Sequence, residues 1–359
     1  MLHLSNVDAR FAGGSFLCVI LERSEESRIF FDAEQQIVTG FRPVHHLWLE
    51  GMRSGAQLIA VQDGLLSFDT NVFDSLYGIS EQLEIALFSA LAACRARIVF
   101  QFDCLEECLL GLESSKPGGA EKVRRQIQRL QEWCDSRRIA KTADLMLIDD
   151  IRAYSTGNGP AGAFLEGKEH RLTVAGLLAL RSQSAEQIHD QWRDEIEELR
   201  RRREQFRQTT KRTVDELRPD AGRYRGIPFA GLWQGQAITA VQSLVESLQN
   251  DHGHPGLVAS IEARGFEGLL EVPSVRVLTS LTLSTMWEQL YRQAPPPEPQ
   301  RSDAADYRLA VCSTAADVFV TNDLILHDRL TRIPALPVRV ELLRDFVSSL
   351  TSNLSAPVG

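Results

Sequence analysis

The chain of 359 residues is poor in the features that mark secreted, membrane or zinc-finger proteins. Its six cysteines, at 18, 94, 104, 108, 134 and 312, include no CxxC pair and no Cys/His spacing of the zinc kind. Cys104 and Cys108 lie one helical turn apart and read as small buried apolar residues. No apolar run approaches the roughly 20 residues of a membrane span, so no membrane partner is expected. Asp8 and Arg10 stand ahead of the short stretch FLCVIL, which does not fit a signal peptide; the expectation is a cytoplasmic protein with reduced thiols. A net charge of −9 argues against a protein coated in basic charge, although a local basic groove stays compatible with it. The helical middle of the chain shows no repeat period. What remains is an ordinary soluble composition, 43% apolar and 24% charged, with length for two or three domains.

Residues 1–60 read as an N-terminal extension with short strands (SFLCVILE, RIFF) and a helix; the adjacent His45 and His46 would point in different directions and are given no metal role. From 61 to 115 the pattern alternates. LLSFD is a strand, Asn71 to Tyr77 a turn and short helix, and Ser80 caps a helix over EQLEIALFSALAAC. ARIVFQF is a second strand, followed by a helix with Asp103 as its N-cap. Strand and helix in this order imply a parallel sheet. Residues 116–300 read as a large, mostly α-helical insertion: an amphipathic helix over 120–139, a loop over 150–165, a long charged helix from Ala185 to Leu217 and further helices to 292, closed by the stiff connector APPPEPQ at 294–300. HGH at 252–254 falls in a Gly/Pro-rich turn without a ligand role. Residues 301–346 return to α/β: a helix over Asp303 to Ala315, the strand DVFVT, a polar turn over NDLILHDRL and a last strand PVRVELL. Residues 347–359 form a tail. With strands confined to the two ends, the expected fold is an α/β sheet flanked by helices and split by the insertion.

Four acids stand out. Asp69 ends an apolar strand, before Thr70 and Asn71; it suits a metal anchor and equally the N-cap of the next helix. Glu107 lies one turn into the helix after the second strand, and Glu106 points elsewhere, since helical neighbours differ by roughly 100°. Asp306 shares a helix face with Leu309, Ala310 and Ser313, with Asp303 one turn earlier as its rival. Asp323 follows Thr321 and Asn322 at the end of strand VFVT, and His327 and Asp328 lie close behind. Carboxylates at strand ends suit the ligand edge of an open α/β sheet.

The segments FDTNVF, IVFQFDCLEEC and DYRLAVCSTAADVFVTND together resemble the PIN-domain nucleases. The resemblance covers about 63–112 and 301–345. It implies a PIN-like parallel sheet and an acidic quartet at Asp69, Glu107, Asp306 and Asp323, with Asn71, Thr321 and Asn322 in support. It further implies Mg²⁺ or Mn²⁺ on these hard oxygens and metal-assisted hydrolysis of phosphodiester bonds, with single-stranded RNA as substrate. The insertion is the departure from a minimal member.

Other readings compete. FDTNVFDSL superficially resembles the opening of the haloacid-dehalogenase phosphatases, but Asn71 stands where those enzymes need a second Asp. A DNA nuclease would use the same acids. A non-catalytic binding or regulatory module would act through the helical insertion, with a protein partner or a second copy. The run Arg200, Arg201, Arg202, Arg203, Arg207, Lys211 and Arg212, with Glu204 its one acid, suits a nucleic-acid backbone, and Arg200, Arg201, Arg203, Arg207 and Lys211 are its candidate contacts. It also suits a solvated helix face, with Glu197–Arg201 and Glu198–Arg202 pairs.

Overall fold

In the computed structural model, residues 64–77, 81–93, 95–113, 119–221, 226–252, 256–291 and 303–347 are described. The N-terminal extension with His45 and His46, Ser80, the end of the 252–254 turn, the connector at 294–300 and nearly all of the tail lie outside them.

Strand β1 (Leu65–Phe68) is buried on both sides, as a central strand of a parallel sheet is. It pairs with β2 (Arg97–Phe100) on one side and β4 (Val318–Thr321) on the other. Among the described residues the sheet has five strands, all parallel, in the order β3-β2-β1-β4-β5, with β3 at Cys134–Ile139 and β5 at Arg339–Leu342. Alternation distributes the side chains. Leu66, Phe68, Ile98, Phe100, Val318 and Val320 join one core, and Phe319 joins the other. Each such buried side chain contributes about 1.5–3 kcal/mol.

Helices cover both faces. α1 (Thr70–Tyr77) and α2 (Glu81–Ala93) link β1 to β2, and α3 (Phe102–Leu110) and α4 (Gly119–Trp133) link β2 to β3. A long helical excursion follows: α5 (Ala143–Thr156), α6 (Gly167–Arg181), α7 (Ala185–Gln191), α8 (Arg193–Ala221), α9 (Phe229–His252), α10 (Leu257–Glu262), α11 (Phe266–Leu269) and α12 (Pro273–Leu290). Then α13 (Asp303–Ser313) leads into β4, and α14 (Leu324–Thr331) separates β4 from β5. The chain runs outward from β1 to β3, then crosses back to the far side of β1. The β1/β4 boundary is therefore the topological switch point, whose carboxyl end is where open α/β sheets take ligands.

Several expectations are corrected. The helix expected over 120–139 stops at Trp133, and 134–139 form edge strand β3, so strand is not confined to the chain's two ends. The expected loop at 150–165 is helical up to Thr156, where Gly157 ends α5 with φ 80°. The long charged helix breaks at Trp192 into α7 and α8. NDLILHDRL is a helix rather than a turn, because the Asp323 carboxylate accepts the amides of Ile325 and Leu326 and caps it. Asp103 is no N-cap: α3 starts at Phe102, with Gln101 before it, and the Asp103 side chain turns inward.

Candidate active site at the carboxyl edge of the sheet

Asp69 is the first residue beyond β1, and its amide donates to the Val320 carbonyl at 3.0 Å, which continues the β1–β4 ladder. The ladder sets Asp69 opposite Thr321, the last residue of β4. The Thr321 hydroxyl donates to Asp69 Oδ2 at 2.7 Å and accepts the Asp323 amide at 3.0 Å. A single buried hydroxyl thus joins two of the expected acids across the switch point. The Asn71 amide groups reach Asp69 at 3.4 and 3.5 Å, at the limit of hydrogen bonding. Asp323 Oδ1 accepts from Ile325 and Leu326 at 2.7 and 3.0 Å, which fixes its orientation.

Asp69 is 1% exposed. Burial is the main reason its carboxyl is pushed up to about 6; the Thr321 hydrogen bond opposes the shift, while Glu107 and Asp323 add to it. Asp306, in the first turn of α13, is pushed well above the usual range, first by burial and then by Asp69, Glu107, Asp323 and Asp303. The four expected acids therefore share one electrostatic neighbourhood.

Their neighbours differ. Asp303 turns away from the group and meets Arg329 Nη1 at 2.8 Å. Glu106 faces Arg308, 3.3 Å from Nη2 though outside hydrogen-bonding geometry, while Glu107 accepts from Arg203 Nη2 at 2.9 Å. Arg308, two residues beyond Asp306, also binds Asp103 at 2.5 Å and Asp144 at 3.1 Å, which staples α3, α5 and α13 together beside the acids. Asn322 donates to Ser75 on α1, away from the carboxylates. Of the five basic candidates, Arg203 pairs with one of the acids, Glu107. Arg201 pairs with Glu198 and Arg207 with Glu204; Arg200 and Lys211 are exposed. Glu198, not Glu197, serves both Arg201 and Arg202.

The donor chemistry suits a hard divalent cation: four carboxylates, one nearly dry, that repel one another. Their arrangement is looser than a finished cation cage, for among the described residues no three His, Cys, Asp or Glu side chains are gathered to hold a metal ion. Two residues were hidden from sequence reasoning. Arg308 lies in a helix otherwise marked by its acids. Arg203 is one of seven bases in a run, and only its phase relative to the apolar residues of α8 sets it apart.

Comparison with family models, with curated proteins and with solved structures finds no match.

Proposed function

We propose that the chain is a divalent-cation-dependent nuclease with a PIN-like sheet, hydrolysing phosphodiester bonds of single-stranded RNA. The observation that supports it best is the Asp69–Thr321–Asp323 bridge across the β1/β4 switch point, with Asp69 driven up by burial and by Glu107 and Asp323, and Asp306 by burial and by the other acids. Such uncompensated acids at a sheet edge carry the signature of a functional site. Asp69, Glu107, Asp306 and Asp323 would hold Mg²⁺ or Mn²⁺, which when bound supplies Lewis acidity toward a water and the phosphate oxygens. The protein's own groups prepare this. Thr321 and Asn71 orient the Asp69 carboxylate, and the backbone amides at the start of α14 orient Asp323. Burial of Asp69 keeps bulk water from screening the group. Exposed Leu324 and Ile325, next to Asp323, offer an apolar rim against which bases can rest.

The test compares wild type with Asp69→Asn and Asp323→Asn on labelled single-stranded RNA in Mn²⁺. Cleavage is expected to fall to background in both variants, with folding intact by circular dichroism. Equal cleavage by all three proteins would remove the nuclease reading. It would favour the regulatory module, for which the pairing of Glu107 with Arg203 is the supporting observation.

A further inference from the structure

A buried seam opens at Trp192, just ahead of α8, and runs along that helix. Trp192, Ile196, Leu199 and Val214 are 5, 0, 7 and 1% exposed, and Phe206 sets its ring edge-on to Tyr307, centroids 5.4 Å apart. The spacing is that of alternating three- and four-residue steps. Arg203 falls in this seam, four residues after Leu199 and three before Phe206, where an apolar side chain would pack. Its guanidinium meets Glu107 at 2.9 Å, with the two side chains 22% and 17% exposed. Neighbouring bases use acids of their own helix: Arg201 and Arg202 take Glu198, and Arg207 takes Glu204. Arg203 spends its charge outside the helix, on one of the four acids of the site.

A guanidinium on a half-dry seam is costly when its partner is taken away, and the cost is relieved by another anion. Arginine's planar fork fits a phosphate in two places at once. We propose that Arg203 is a phosphate-positioning residue supplied by the helical excursion: it competes with a divalent cation for Glu107, and a phosphate of the nucleic acid competes with Glu107 for its guanidinium. This rests on the nuclease reading above. It adds a consequence that reading lacks. Cation and phosphate binding are coupled through one side chain, and the coupling must be reciprocal.

The test needs no turnover. Mn²⁺ affinity is measured by electron paramagnetic resonance of the free ion, with and without uridine 5′-monophosphate, for wild type, Arg203→Met, Arg203→Lys and Asp69→Asn. The nucleotide is expected to tighten Mn²⁺ binding to wild type by about fivefold or more, the lower end of ordinary coupling. Arg203→Met, whose apolar side chain suits the seam, is expected to bind Mn²⁺ more tightly than wild type on its own and to show no tightening by the nucleotide. Arg203→Lys should keep part of it. If Arg203→Met matches wild type in both respects while Asp69→Asn binds no Mn²⁺, the role of Arg203 is overturned and the cation site stands. If neither wild type nor Arg203→Met binds Mn²⁺, both readings fall together.

Discussion

Asp303 and Asp306 sit one turn apart on α13 in opposite electrostatic surroundings. Asp303 belongs to a buried, compensated network. Arg329 holds it at 2.8 Å and Glu288 at 2.9 Å, and Arg332 holds the other Glu288 oxygen at 2.6 Å. Two arginines meet two buried carboxylates there and tie α12, α13 and α14 together. Asp306 faces Asp69, Glu107 and Asp323, and no ion pair is formed by it among the described residues. The contrast separates two uses of a buried carboxylate. Compensated acids join elements. Uncompensated acids are held together by the rest of the fold at a cost, which is what marks this group as a candidate functional site.

The largest effect should come from breaking the compensated side. Arg329→Met leaves Glu288 and Asp303, 3% and 6% exposed, without their shared cation. Removing one member of such a network costs about 3–5 kcal/mol. Urea denaturation should show that loss. A loss below about 1 kcal/mol would place the network with surface ion pairs and dissolve the contrast.

The uncompensated side should answer with the opposite sign. Asp69 titrates near 6 in the folded chain against 3.8 when exposed. The folded state therefore binds the proton more tightly than the unfolded state. The stabilising effect of that proton is complete below about pH 4 and is lost as pH rises through 6. The difference corresponds to about 3 kcal/mol of penalty at pH 8. Asp69→Asn should then be more stable than wild type by about that amount at pH 8 in the absence of divalent ions, with the gain shrinking toward zero at pH 4. Asp306 carries the same sign. Urea titrations at the two pH values give the answer, and a destabilised Asp69→Asn at pH 8 would show the carboxylate to be compensated after all.

How much of this the sequence carried depends on how local the cause is. The β1 and β4 strand ends were legible, because short runs of apolar and β-branched residues stop at Asp69 and at Thr321. β3 was not: CDSRRI is a polar edge strand, buried mainly at its two ends, and it continues an amphipathic helix without a break in composition. α14 reads as a turn in sequence because Leu324 and Ile325, exposed in the fold, blur its apolar phase, although Asp323 stands ready as its cap. The same residue was thus legible as an acid and illegible as a cap. Composition alone places Asp103 at a helix end, whereas its side chain is held by Arg308, some two hundred residues along the chain. Arg203 shows the limit most clearly. Charge counting makes it one base of seven, and only its register with Leu199 and Phe206 directs it to Glu107.

The smallest effect tests whether burial, rather than pairing as such, makes the Arg329 network matter. Arg212 and Glu216 on α8 form an ion pair of the same chemistry, 4.0 Å apart, with side chains 71% and 68% exposed. Solvent screens both charges, and holding two long side chains in register costs entropy, so Arg212→Ala should change stability by no more than about 0.5 kcal/mol. That small change should vanish in 1 M salt, where the screening length falls to about 3 Å. The Arg329→Met loss should persist there, because its charges lie beyond the reach of the ions. Measured side by side in low and high salt, the two variants separate an ion pair that water has already weakened from one that the fold has enclosed.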